Sequence, residues 1–185
     1  MKRIITLLGV VLLIAFIAWS CERDDICAEG TATTPLLIIR FYDVNNQDNT
    51  KEVRQLEVKG LGDDGLPFSE TPIVSRTNTD SIALPLRFTE EGIETITRFQ
   101  LERDADFADN TDPNDDSNID IITVTYTPEF IYVSRACGYK SIFNFGATGG
   151  VTREVDGDDD IWITNIEIVN ETIDNENAAQ VILYH

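Results

Sequence analysis

The chain has 185 residues, 42% of them hydrophobic, which is enough for one domain with a sizeable core. Its 33 acidic residues against 14 basic ones give a net charge of −19. Such a surface repels nucleic acid and anionic lipid headgroups and favours cations or partners with basic patches, although the same charge also serves plain solubility.

The first element is a leader. Met1, Lys2 and Arg3 form a short positive head, and Ile4 to Trp19 is almost wholly apolar, with Thr6 and Gly9 inside it. A transmembrane helix, the rival reading, needs about 20 apolar residues. The run is shorter than that, and its charge, core length and polar boundary read as a signal peptide over residues 1–20. Its end, Ala18-Trp19-Ser20-Cys21, resembles the lipobox of bacterial lipoproteins. In that class the cysteine sulfur holds a diacylglycerol through a thioether, the leader is cut before the cysteine, and the new amino group is acylated. Ser20 fits its position. Ala18 stands where leucine is commoner, and Trp19 is bulky. A plain secreted protein and an uncleaved anchor are the alternatives. Cleavage would remove two basic residues, so the charge becomes 12 − 33 = −21. Each buried acyl methylene contributes about 0.8 kcal/mol to anchoring.

Residues 21–34 read as a lipid-anchored tether. Arg23, Asp24 and Asp25, just after Cys21, resemble the surface-export signal of Bacteroidota lipoproteins, with Arg where Lys is more usual. The alternative is a merely solvated tether on the periplasmic face. With Cys21 lipidated, Cys27 and Cys137 remain, and an oxidising compartment favours their pairing as a disulfide over two free buried thiols. The loop so closed is long enough for a chain-entropy stabilisation of about 4–5 kcal/mol.

Residues 35–185 read as short strands between turns. Pro35–Asp43 alternates, with Leu37, Ile39 and Phe41 on one face. Val44–Asn49 reads as a polar turn, Val53–Gly60 as a strand, and Ile73–Arg76 and Ser81–Phe88 as short ones. Pro85 demotes the last of these to an edge or a bulge. Ile93–Glu102 carries Ile93, Phe99 and Leu101 on one parity. Ile119–Thr127 is rich in β-branched residues and is broken by Pro128; a further strand then begins at Glu129. Tyr139–Gly146, Ile161–Asn170 and Gln180–His185 complete the series, with a possible helical turn at Glu171–Asn177. Val181–Tyr184 is apolar almost throughout and so should pair centrally. Eight to ten such strands predict an all-β chain, an antiparallel β-sandwich.

The lipobox cysteine, Cys27, Thr34–Asp43, Ile82–Leu86, Ala136–Phe145 and the apolar last strand together resemble a domain-of-unknown-function family of small lipoproteins from Bacteroidota. The resemblance implies a signal peptide, an envelope location and the Cys27–Cys137 pairing. It implies no activity.

Enzymatic chemistry has few parts. His185 is the only histidine, which leaves a histidine triad or a multi-histidine zinc site without members, and no nucleotide-binding or serine-hydrolase motif occurs. Calcium is the one cofactor with a motif. Asp112, Asn114, Asp116 and Asp120 fall at positions 1, 3, 5 and 9 of an EF-hand-like loop, and Asp156–Asp160 could approach it. Ser117 and Thr123 stand where glycine and the bidentate glutamate belong, and the alternative is a solvated hairpin loop. Glycan binding needs an exposed aromatic platform, and Tyr126, Tyr132, Tyr139 and Trp162 are its candidates. Apolar neighbours on both sides favour core packing for all four. Asp80-Ser81-Ile82 resembles an O-glycosylation acceptor, and Asn170-Glu171-Thr172 fits the N-glycosylation pattern, which a bacterial setting makes idle.

The expected function is a lipid-anchored, non-enzymatic binding or assembly accessory of the cell envelope. It would sit at the outer membrane with the surface face favoured, and its partner would be an outer-membrane protein. The alternatives are a glycan-binding module and a calcium-stabilised adhesion domain.

Overall fold

The computed structural model describes residues 26–31, 33–105, 117–154 and 161–185. These fall into two compact units: described residues between 33 and 131 together with those from 140 to 185, and residues 26–31 together with Tyr132–Tyr139. The described residues form strands and turns with no helix.

The first sheet is organised on β1 (Leu37–Asp43). Its alternation is the expected one: Leu37, Ile39 and Phe41 are fully buried, and the residues between them are not. Along one edge β1 pairs with β12 (Val181–Tyr184), from Ile39 against Val181 to Tyr42 against Tyr184. The other edge is shared. β5 (Ser81–Leu84) covers Leu37 to Arg40, and β2 (Asn46–Thr50) takes over at Tyr42. β10 (Asn165–Ile168) flanks β12, so the last strand is interior, as its apolar sequence requires. The β1–β12 pair is parallel, a departure from the antiparallel expectation. Parallel neighbours need a long crossover, and the chain between β1 and β12 supplies it.

The second sheet runs β11–β8–β7–β6–β3–β4, with β9 added on β7. β6 (Thr95–Arg103) pairs with β7 (Asn118–Ser134) through nine residues, and with β3 (Val53–Leu61) on its other side. β4 (Val74–Thr79) follows β3, and β8 (Gly138–Asn144), β9 (Gly150–Arg153) and β11 (Thr172–Ile173) complete the sheet.

β7 continues through Pro128 instead of breaking there. In a strand, a residue's N–H and C=O point to the same side. The Pro128 carbonyl accepts from Gly92 N–H at 2.9 Å, beyond the last β6 partner at Tyr126, so the missing donor faces a loop rather than the ladder. Thr172–Ile173 is a short strand against Asn144 and Phe143 rather than a helical turn, because Ile173 is wholly buried there. Ile93 precedes its strand and is exposed.

One apolar cluster joins the inward faces of both sheets, with Leu37, Ile39, Phe41, Val181 and Leu183 from the first and Val58, Phe99, Leu101, Ile122 and Val124 from the second. This is a β-sandwich. Each of these side chains contributes about 1.5–3 kcal/mol when fully buried.

Candidate functional site

Among the described residues, the polar groups singled out in the sequence are engaged in holding the fold. His185 packs edge-on against Phe41 and Trp162, with ring centroids 6.1 and 5.7 Å away, and burial pushes its imidazole pKa down. Asp120 is buried on β7, and its Oδ2 accepts from the main-chain N–H of Trp162 at 3.1 Å and of Ile163 at 2.6 Å. That carboxylate oxygen anchors the chain entering β10. Asp112, Asn114, Asp116 and Asp156–Asp160 lie outside the described residues, as do Cys21, Arg23, Asp24 and Asp25. Among the described residues no group of three His, Cys, Asp or Glu is placed to hold a metal ion. Ser81 donates its hydroxyl to the Ile39 carbonyl at 3.2 Å within the first sheet, and Asn170 donates to Ala179 at 2.7 Å. Glu154 is bound by Arg98 and Thr123, and its hydrogen bond from Arg98 holds its carboxyl below the usual range.

The four aromatic candidates divide into two pairs. Tyr126 and Trp162 are core residues. The Tyr126 hydroxyl donates to the Arg87 carbonyl and shares a hydrogen bond with Thr97 Oγ1, and its ring meets Phe143 edge-on at 5.2 Å. Tyr132 and Tyr139 are 55% and 69% exposed, contrary to the core expectation, with their rings 5.4 Å apart. Both belong to the smaller unit, which the Cys27–Cys137 disulfide closes across 110 residues of sequence, with a Cα separation of 4.8 Å. An open groove of about 600 Å³ lies within this unit, lined in part by Ile26, Thr31, Tyr132, Arg135 and Cys137.

The larger unit carries a feature that the sequence reading missed. A small apolar cleft of about 190 Å³ is floored by Gly60 of β3 and by Thr97 and Phe99 of β6, and walled by Phe68, Ile73 and the Pro85–Arg87 segment. Phe68 is 62% exposed, yet it is not loosely held. Its N–H donates to the Gly60 carbonyl at 2.9 Å, and Ile73 N–H donates to Val58 at 2.7 Å. The Gly62 N–H meets the Leu66 carbonyl at 2.8 Å, which folds the intervening turn back. The Arg87 guanidinium stands 5.7 Å from the Phe68 ring centre and donates from Nη2 to the Ile96 carbonyl at 2.6 Å and to Asp63 at 3.1 Å. Leu66, Phe88 and Ile93 are exposed on the same two loops, residues 62–73 and 85–94. The signal for this cleft was present in the sequence as large apolar residues inside loops marked by Gly62, Gly65, Pro67 and Pro72.

No curated protein and no solved structure matches the chain. A family of unknown function, DUF6452, matches residues 55–185, which take in the cleft, the exposed tyrosines and every strand from β4 onward. The chain belongs to this family of unknown function.

Proposed function

We propose that the protein is a lipid-anchored, non-enzymatic binding or assembly accessory of the bacterial cell envelope. In this reading DUF6452 is a family of small Bacteroidota lipoproteins, Cys21 carries the lipid, and Arg23-Asp24-Asp25 directs the protein to the outer face of the outer membrane. The observation that carries the binding role is the cleft. Ordered, exposed apolar side chains gather there, while the histidine and the described acidic candidate, Asp120, are committed to the fold. The disulfide suits an oxidising compartment. Confinement to a surface raises the effective concentration of the domain for neighbouring proteins.

The test joins two measurements in intact cells. Metabolic labelling with a fatty acid should mark the natural protein and not Cys21→Ala. A photo-crosslinking residue at position 68 should give one reproducible adduct with an outer-membrane protein, and the same residue at exposed Thr77 should not. Absence of label rejects the anchor; absence of any adduct rejects the binding role. Protease shaving that treats the natural protein and the joint Arg23→Ala, Asp24→Ala, Asp25→Ala variant alike rejects surface export.

Tyr132 and Tyr139 favour a second reading, a glycan-binding module, because an exposed aromatic pair offers the apolar faces that sugar rings need. Titration with envelope polysaccharides, comparing the natural protein with Tyr139→Ser, separates the two readings.

A further inference from the structure

The disulfide-closed unit lies a short length of chain from the point where the anchor would hold the protein. The segment from Cys21 to Cys27 spans no more than about 22 Å even when fully extended. Across the disulfide, Cys137 follows with its Cα 4.8 Å from that of Cys27. Tyr132–Tyr139 is therefore kept near the lipid whatever the orientation of the rest of the domain. The unit also has a side that belongs to the tether. Ile26, the residue before Cys27, lines the open groove together with Tyr132, and Tyr139 stands beside Tyr132 with ring centroids 5.4 Å apart. All three side chains are exposed. The charge of this unit differs from that of the whole chain. Its described residues hold one acidic side chain, Glu29, and one basic side chain, Arg135, whereas the chain carries −19. A charge-balanced surface meets a headgroup layer without the repulsion that an acidic one feels. Tyrosine suits that layer because its ring is apolar and its hydroxyl stays among the headgroups. A long arginine side chain reaches from the same depth back to water and phosphate.

Resting on the lipid-anchored reading, we infer that the face formed by Ile26, Tyr132 and Tyr139 docks on the headgroup layer of the bilayer that holds the Cys21 lipid, a zwitterionic surface being its partner. The lipid supplies the confinement, so this second contact is made at high effective concentration and can be weak by itself. The disulfide then has a task beyond stability. It presents Tyr132 and Tyr139 to the membrane beside the anchor, and two points of contact orient the unit where a lipid alone would leave it free to turn.

The test reconstitutes the exported full-length protein into phosphatidylcholine vesicles. Tyr139→Trp serves as a fluorescent probe, and lipids brominated near the headgroup end of their acyl chains serve as quenchers. The natural protein gives the background, because its Trp162 is only 2% exposed. The Tyr139→Trp probe should be quenched several times more than the same substitution at exposed Thr77. Adding Ile26→Ser with Tyr132→Ser should weaken that quenching, and so should opening the crosslink with Cys27→Ser and Cys137→Ser. Flotation with the vesicles and the far-ultraviolet spectrum should stay unchanged in every variant, which separates lost docking from lost anchoring or lost folding. Flotation without quenching of the probe, or equal quenching at positions 139 and 77, would overturn the inference and leave the anchor standing. Loss of flotation by the natural protein removes the anchor itself, and the inference with it. A polysaccharide that shields the probe in detergent, while brominated lipid leaves it unquenched, would also overturn the inference and give the tyrosine pair to the glycan reading.

Discussion

The sandwich and the disulfide-closed unit are held by different physics. In the sandwich, Leu37, Ile39, Phe41, Phe99 and Tyr126 have essentially no exposure, and apolar burial supplies the stability. In the smaller unit none of the described side chains is buried: Ile26 is 81% exposed, and Tyr132 and Tyr139 stand out in solvent. It is ordered by the ends of the paired strands β7 and β8, which run into it, by one covalent bond, and by short local links such as Cys137 N–H to Ser134 Oγ at 3.0 Å and Thr31 N–H to the Ala28 carbonyl at 3.1 Å. Where a chain cannot bury enough to fix a segment, a crosslink does so by restricting the unfolded state.

The largest expected effect comes from cutting that bond. Cys27→Ser with Cys137→Ser removes no core contact, yet it frees a loop spanning 110 residues in the unfolded chain. The chain-entropy account puts the loss at about 4–5 kcal/mol. Urea denaturation should show it as a lower midpoint, with the far-ultraviolet spectrum of the native state unchanged. A loss below about 1 kcal/mol would mean that the crosslink acts only locally.

Tyr126→Phe probes the other side of the comparison. The ring stays, but the Arg87 carbonyl loses its donor and Thr97 its partner in a buried setting. We expect a loss of about 1–3 kcal/mol, read from the same denaturation curves. A neutral result would show that the hydroxyl is replaceable by water and that packing alone holds this corner.

How much of this was legible in the sequence follows from the same contrast. Alternation exposed β1, because Leu37, Ile39 and Phe41 recur at a period of two beside Arg40 and Tyr42. β2 was read as a turn because Asn46–Thr50 has no apolar residue; its strand character comes from pairing with β1. The buried run Leu56, Glu57, Val58 defies alternation because β3 shifts register on either side of Leu56, with Gln55 at a φ of +49°. Tyr132 and Tyr139 were assigned to the core because Ile131 and Val133 beside Tyr132 conceal which face is wet. Phe68 and Ile73 belong to no periodic segment, so a search by periodicity passes over the cleft.

A pH scan sharpens the comparison further, because His185 lies in the sandwich and titrates against burial. Its ordinary value is 6.5, and packing among Phe41 and Trp162 lowers it in the folded state, aided by Lys51 and Arg103 and opposed by the Lys51 carbonyl and Asp43. The unfolded chain therefore binds this proton more readily. The stability that the neutral imidazole contributes is complete above pH 6.5 and is lost as pH falls toward the depressed folded value. His185→Phe keeps an aromatic ring in place and cannot protonate, so its stability should decline less between pH 7 and pH 5.5. Identical slopes for the two proteins would show that carboxylates account for the whole decline.

The smallest effect is expected where the exposed tyrosines are removed. Tyr132→Ser with Tyr139→Ser deletes two large rings, and a core pair of that size would cost several kcal/mol. Here both rings are largely exposed in the folded protein, with their centroids 5.4 Å apart. A solvated aromatic pair contributes about 0.5–1.5 kcal/mol at most, and surface substitutions usually stay within about 0.5 kcal/mol. The melting temperature should therefore be nearly unchanged while the disulfide remains intact by mass. A core-sized loss would place these rings against a surface that covers them in solution and would collapse the distinction between the two units. A negligible loss leaves the pair without a structural role. Two exposed aromatic rings side by side in a unit none of whose described side chains is buried are then free to serve the glycan reading proposed above, and polysaccharide titration of the double variant tests it.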